Sequence, residues 1–150
     1  MARNFFGGGR SPVTARDAAI ATSHPLATAA GLNILAEGGN AVDAALAAVA
    51  TQCVVEPHMT GIGGDCFVLY APAGKDVIAL NGSGRAPQAA TVSALTGLGL
   101  SAIDRKSAHA VTVPGAIAAW TTLHRDHGSQ PLDKLFRAAI DYAENGYPVS

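Results

Sequence analysis

The sequence predicts an α+β chain, and three observations predict it. Four stretches combine apolar residues with helix punctuation, two short β-prone runs flank a turn-forming pentapeptide, and neither a repeat nor a linker divides the 150 residues. A single mixed unit follows.

Ala18 to Thr22 is a short apolar run suited to a strand. Pro25 can open a helix, because the first-turn residue has no intrahelical partner for an amide that proline lacks anyway. That helix is expected to run to about Glu37, where Gly38 can take the left-handed closing conformation. Asn40 then caps the next helix, with Asp43 three residues on as a variant of the capping box. This second helix, Ala41 to Val55, is apolar all round and built mostly of alanine, the pattern of a helix packed on several sides at close backbone distance. It contains Asp43 and Gln52 and falls short of the ~20 residues a membrane span requires.

Cys66 to Ala71 and Val77 to Leu80, separated by Pro72-Ala73-Gly74-Lys75-Asp76, read as a hairpin. Ala94 to Ala110 has no clear period and is expected to be a mobile loop. Ala116 to His127 fits a helix burying Ile117, Trp120 and Leu123. The last helix opens near Pro131, places Leu132, Leu135, Phe136, Ala139 and Ala143 on one face, and closes at Asn145-Gly146.

Composition excludes several classes. With 49% hydrophobic and 14% charged residues there is material for one ordinary core. A formal net charge of -1, with the basic residues scattered, removes the electrostatic case for nucleic acid. Cys53 and Cys66 are too few for a disulfide framework and are expected to be buried free thiols. The start, Met1 to Arg10, has no apolar stretch long enough for a signal peptide, so a cytoplasmic protein with no membrane attachment is expected.

Two groups of residues invite a chemical reading. His124 and His127 stand three apart near a helix end, but no Cys, Asp or Glu stands at ligand spacing beside them except Asp126, which points elsewhere on a helix, and a solvated helix terminus is the simpler reading. His24 is better explained as a ring whose nitrogens satisfy backbone groups at the turn into the first helix. No metal and no cofactor is expected. The run Gly61-Ile62-Gly63-Gly64 lacks the ending of a phosphate loop, and its strand and helix stand in the wrong order for a dinucleotide fingerprint. It is either a backbone nest beside a reactive centre or a tight turn needing positive φ, with Asp65 holding that turn through its carboxylate.

Read together, the pieces Ser23-His24-Pro25-Leu26-Ala27, Gly38-Gly39-Asn40-Ala41-Val42-Asp43-Ala44-Ala45, Val54-Val55-Glu56-Pro57, the glycine run and Arg85-Ala86-Pro87 follow a recognisable order. Val113-Pro114-Gly115 and Tyr142-Ala143-Glu144-Asn145-Gly146-Tyr147 continue it. In this order and spacing the chain resembles the large subunit of the γ-glutamyltransferases, which belong to the N-terminal-nucleophile hydrolases. The resemblance implies an N-terminal fragment of a four-layer αββα sandwich. Residues 1–150 would form a single N-terminal portion of the large-subunit domain, with the rest of the precursor, including the small subunit, beyond Ser150. Many relatives are exported, so the expected cytoplasmic location departs from them. Alone, such a fragment would leave apolar surface and strand edges uncovered.

An enzyme of that superfamily attacks with the hydroxyl or thiol of a residue whose own α-amino group takes the proton. The family's nucleophilic threonine begins the small subunit, so no catalytic residue is expected in this chain. The implied substrates are γ-glutamyl amides such as glutathione, and the implied partner is the protein's own small subunit, with an oligomer of such heterodimers as the larger assembly. In the family an arginine three places ahead of the Ala-Pro alanine is implied to grip the α-carboxylate of the glutamyl group. Here Asn81-Gly82-Ser83-Gly84-Arg85-Ala86-Pro87 puts Ser83 at that place. A hydroxyl in place of a bidentate guanidinium would lose several kcal/mol of carboxylate binding. Arg85, two residues on, would lie on the same face in an extended segment and could substitute, while its plain reading is a solvated surface arginine. Two alternatives stay open beside the γ-glutamyl reading: an acylase of related non-glutamyl amides, resembling the cephalosporin acylases, and a catalytically silent relative serving as an assembly domain.

Overall fold

The computed structural model describes residues 12–149. Its first helix pair follows from the punctuation at Pro25 and Asn40. Helix α1 (Pro25–Ala36) starts with proline in the first turn, and His24 Nδ1 accepts the Leu26 N–H at 3.2 Å, so the ring does satisfy a backbone group at the turn. Gly38 closes the helix with φ +85°, the left-handed conformation that lets the chain turn at once. Helix α2 (Ala41–Val55) then begins under a full capping box: Asn40 Oδ1 accepts from the Val42 and Asp43 amides, and Asp43 Oδ2 accepts from the Asn40 amide. The two helices approach so closely that a Cβ at Gly31 would stand 3.0 Å from the Ala44 carbonyl oxygen. Small residues in both helices make that approach possible.

The motif residues at these helix ends reach far along the chain. The Asp43 side chain is fully buried and also accepts from the Ser129 amide at 2.9 Å, the Ser129 hydroxyl at 2.5 Å and the Gln130 amide at 3.3 Å. Asn40 Nδ2 donates to the His127 carbonyl at 2.8 Å. At the other end of α2, Ser23 donates to the Glu56 carboxylate, and Gln52 Nε2 donates to both Ser23 Oγ and Glu56 Oε2. Burial pushes the Asp43 carboxyl up, but the Ser129 hydroxyl and the three backbone amides outweigh it and hold its pKa below the ordinary value. A group with a lowered folded-state pKa stabilises the fold above its unfolded value of about 3.9 and ceases to do so as pH falls through the folded value. Asp43→Asn, which cannot accept on its amide nitrogen, is therefore expected to lose about 2–4 kcal/mol at pH 7. Urea unfolding at pH 7 and pH 3 should show the gap to wild type closing in acid; an equal gap at both would refute the assignment.

Strands β1 (Cys66–Tyr70) and β2 (Ile78–Gly82) pair antiparallel, from Cys66 opposite Gly82 to Tyr70 opposite Ile78. The second strand starts one residue later and ends two residues later than the pattern Val77–Leu80 predicts, because Asn81 and Gly82 also find partners on β1. Cys66, Val68, Tyr70 and Leu80 pack on the core, whereas Phe67 and Leu69 are 69% and 80% exposed on the other face. The run Ala18 to Thr22 forms no strand. It has no neighbouring strand to pair with among the described residues; Ile20 packs against Gly31 and the core, and Thr22 donates its hydroxyl to the His24 carbonyl at 2.7 Å.

Between sheet and last helices the segment expected to be a loop carries helix α3 (Val92–Gly97), capped by the Thr91 hydroxyl, and a single 3-10 turn at Ala108–Ala110. Neither buries a residue, which is why no apolar period marks them. Helices α4 (Ala116–His127) and α5 (Leu132–Asn145) complete the core with Ala116, Ala119, Trp120 and Leu123 on one and Leu135 and Ala139 on the other. Leu132 and Phe136 are half-buried, and Trp120 meets Phe136 edge-on at 6.2 Å. Two expected core residues are not in it: Ile117 is 44% exposed and Ala143 is exposed. Both border an apolar groove of about 430 Å³, with Cys53, Ile62, Trp120 and Ile140, that no element among the described residues covers. No helix among the described residues is long and apolar enough to cross a membrane.

Candidate functional site

A concavity of about 490 Å³ forms where the segment after β2 runs beside the entry to α4. Its walls are Asn81 to Ser83 and Arg85 to Gln88 on one side and Val113 to Gly115 with the first turns of α4 on the other. The walls are tied by backbone: Val113 N–H donates to the Arg85 carbonyl at 2.9 Å, and the pair forms an isolated antiparallel bridge. Three glycines make this closeness possible. A Cβ at Gly82 would meet Ala119 Cβ at 2.5 Å and the Cys66 carbonyl at 2.8 Å. At Gly84 it would strike Thr112 Oγ1 and the Val113 carbonyl, and at Gly115 the Gly82 carbonyl and the Ser83 backbone.

Ser83 and Arg85 both line this cavity, while Gly84 between them does not. Ser83 is held by Asn81, whose Oδ1 accepts both its amide at 3.0 Å and its hydroxyl at 2.6 Å. Arg85 is exposed, and no side chain among the described residues hydrogen-bonds or ion-pairs its guanidinium. A free guanidinium on this wall suits an anionic oxygen pair, which a planar fork of donors binds bidentately, whereas the Ser83 hydroxyl, its one proton given to Asn81, must release that bond before it can donate to an anion.

The glycine run differs from the expectation of a turn needing positive φ. None of Gly61, Gly63 and Gly64 has positive φ, so no left-handed turn requires them. Nor does anything crowd them: a Cβ at Gly61 or Gly63 would meet no atom within 4 Å. Gly61 lines the apolar groove, not the cavity of Ser83 and Arg85. Gly64 does not line that cavity, but its carbonyl accepts the Gly115 and Ala116 amides at 3.2 and 3.0 Å and so caps the start of α4 at one wall. Asp65 does not hold its own turn. Its Oδ1 accepts the Gly84 N–H at 2.7 Å, nineteen residues on. Sequence reasoning missed this pairing, because nothing local to Asp65 announces a partner so distant along the chain.

The remaining reactive side chains have other engagements. His124 Nε2 contacts the Gln130 carbonyl at 2.7 Å, and the His127 ring lies 4.8 Å from that of Tyr70. No group of three His, Cys, Asp or Glu among the described residues could hold a metal ion. Cys53 and Cys66 are free and half-buried, and burial raises both thiols, which disfavours the nucleophilic thiolate.

Comparison with known proteins gives consistent matches. The sequence model of the family described as gamma-glutamyltranspeptidase matches residues 27–150. The chain is 42% identical over 135 residues to the glutathione hydrolase-like YwrD proenzyme of Bacillus subtilis, a match covering 87% of this chain and 25% of that protein. It is 40% identical over 145 residues to the oxamate amidohydrolase proenzyme of Klebsiella pneumoniae, covering 93% of this chain and 27% of that protein. Among solved structures, the cephalosporin acylase from Bacillus halodurans superposes with a TM-score of 0.82 at 42% identity, over 97% of this chain and 28% of the other. Helicobacter pylori gamma-glutamyltranspeptidase superposes with a TM-score of 0.83 at 32% identity, over 93% of this chain and 41% of the other. The chain thus spans about a quarter of the length of these curated relatives.

Proposed function

The chain belongs to the gamma-glutamyltranspeptidase family, and we propose that it is the N-terminal part of a self-processing amidohydrolase or transferase whose donors are amides of short acids bearing a carboxylate, γ-glutamyl amides among them. The observation that carries the reading is the pair Ser83 and Arg85 on one cavity wall, with the guanidinium free to receive an anion. The named relatives support it chemically: oxamate and the γ-glutamyl group of glutathione each present a carboxylate together with the amide to be cut. In this reading the chain supplies binding and orientation. The nucleophile, a threonine freed by autocleavage, comes from the small subunit, and the four-layer αββα sandwich is completed by the rest of the polypeptide.

The absence of arginine at position 83 favours a second emphasis within the same chemistry. A hydroxyl there and a guanidinium two residues on place the anion grip differently from the family's, which suits acyl groups other than glutamyl, as in the cephalosporin acylase. The full-length precursor is expected to appear as two subunits on a denaturing gel, with threonine at the new N-terminus. It should hydrolyse γ-glutamyl amides, glutaryl amides and oxamate itself at measurable and unequal rates. A single uncleaved chain with no amidase activity would overturn the proposal and leave the silent assembly domain.

A further inference from the structure

Gly64 and Asp65 together hold both walls of the cavity, one through a carbonyl and the other through a carboxylate. The Gly64 carbonyl takes the Gly115 and Ala116 amides at the α4 wall. Asp65 Oδ1 takes the Gly84 N–H on the opposite wall at 2.7 Å, between Ser83 and Arg85, both of which line the cavity. On the same segment Gly84 has no room for a side chain, being pressed against Thr112 and the Val113 carbonyl. Its backbone is therefore fixed from two directions, and its neighbours are turned to the cavity.

We propose that Asp65 is a positioning residue for donor specificity: by clamping the Gly84 amide it sets where Ser83 and Arg85 meet the carboxylate of the donor. The inference rests on the proposed function for its substrate, but the clamp itself is a property of these residues alone. Removing the carboxylate leaves the segment the Asn81 link to Ser83 and the single bridge from Arg85 to Val113. The Arg85 side chain then loses its register against the donor. A charge-assisted acceptor at an amide is stronger than a neutral one, and asparagine keeps an acceptor oxygen there, so Asp65→Asn should preserve much of what Asp65→Ala loses. A merely structural Asp65 would instead affect all donors alike.

The test uses the full-length processed protein with Asp65→Ala and Asp65→Asn. Hydrogen exchange of the peptide spanning Asn81 to Pro87 should accelerate in Asp65→Ala, and much less in Asp65→Asn. With L-γ-glutamyl-p-nitroanilide, kcat/KM should fall roughly tenfold in Asp65→Ala, mainly through KM. With the decarboxylated analogue 4-aminobutyryl-p-nitroanilide it should change by less than about twofold. Unchanged exchange, or an equal fall on both donors, overturns the inference. Wild-type protein that turns over neither donor would tell against the proposed function, and the exchange comparison would still support or overturn the clamp.

Discussion

Gly115→Val in the full-length precursor is expected to yield little or no soluble, processed protein, whereas Gly63→Val should be far milder. A Cβ at Gly115 would lie within 2.9 Å of the Ser83 carbonyl carbon and oxygen and would strike the Gly82 carbonyl, all of them backbone. Backbone cannot rotate aside as a side chain can. The helix α4 would have to retreat from β2, taking with it the buried Ala119 and Trp120. Overpacking of a tight site costs roughly 1–3 kcal/mol even where side chains can yield, and here the cost should exceed that range. Against a total stability of about 5–15 kcal/mol that is a large fraction. At Gly63 an added Cβ meets nothing within 4 Å and φ is not positive, so neither crowding nor strain in this part of the protein opposes valine. Expression of the two variants with a gel for the processed subunits is the measurement. Normal amounts of processed Gly115→Val would show that the two walls separate at little cost, and the cavity geometry would lose its basis.

That contrast also marks what can be read from the sequence. The caps were legible because their chemistry is local: Pro25, Gly38, Asn40 and Asp43 act within a turn of themselves, and each does so in the folded chain. The hairpin was legible for the same reason, with strand ends displaced by a residue or two where cross-strand partners decide them. What the pieces do to one another was not legible. Ser23 meets Glu56, Asp43 meets Ser129, and Asp65 meets Gly84, at separations of 33, 86 and 19 residues. Clustering of glycines in the sequence does not report crowding in space. Gly61, Gly63 and Gly64 are conspicuous as a cluster and uncrowded in space, while Gly82 and Gly84 are crowded by backbone and side chains that lie far along the chain, Gly115 and Val113 among them. Ile117 and Ala143 failed as core residues because helical periodicity reports which face is apolar, not whether another element covers it.

Arg85→Ala is expected to lower kcat/KM for carboxylate-bearing donors by about 100-fold or more while leaving autocleavage intact. The guanidinium is free of partners among the described residues and lines the same cavity as Ser83, so its removal takes away the cation without disturbing a salt bridge. Its backbone bridge to Val113 does not depend on the side chain, and alanine can keep it. The loss should appear in kcat/KM, because a carboxylate grip is made in the ground state and kept in the transition state. Ser83→Arg is the counter-experiment. If Arg85 holds the anion, a second guanidinium two residues away adds little and repels the first. If instead the carboxylate sits where the family's arginine would meet it, Ser83→Arg improves γ-glutamyl turnover and Arg85→Ala leaves it unchanged. Steady-state kinetics of the two variants on γ-glutamyl and glutaryl anilides separate these arrangements. Strong wild-type activity that neither substitution alters would place the donor carboxylate outside this cavity altogether, and the segment from Asn81 to Pro87 would then have no part in gripping it.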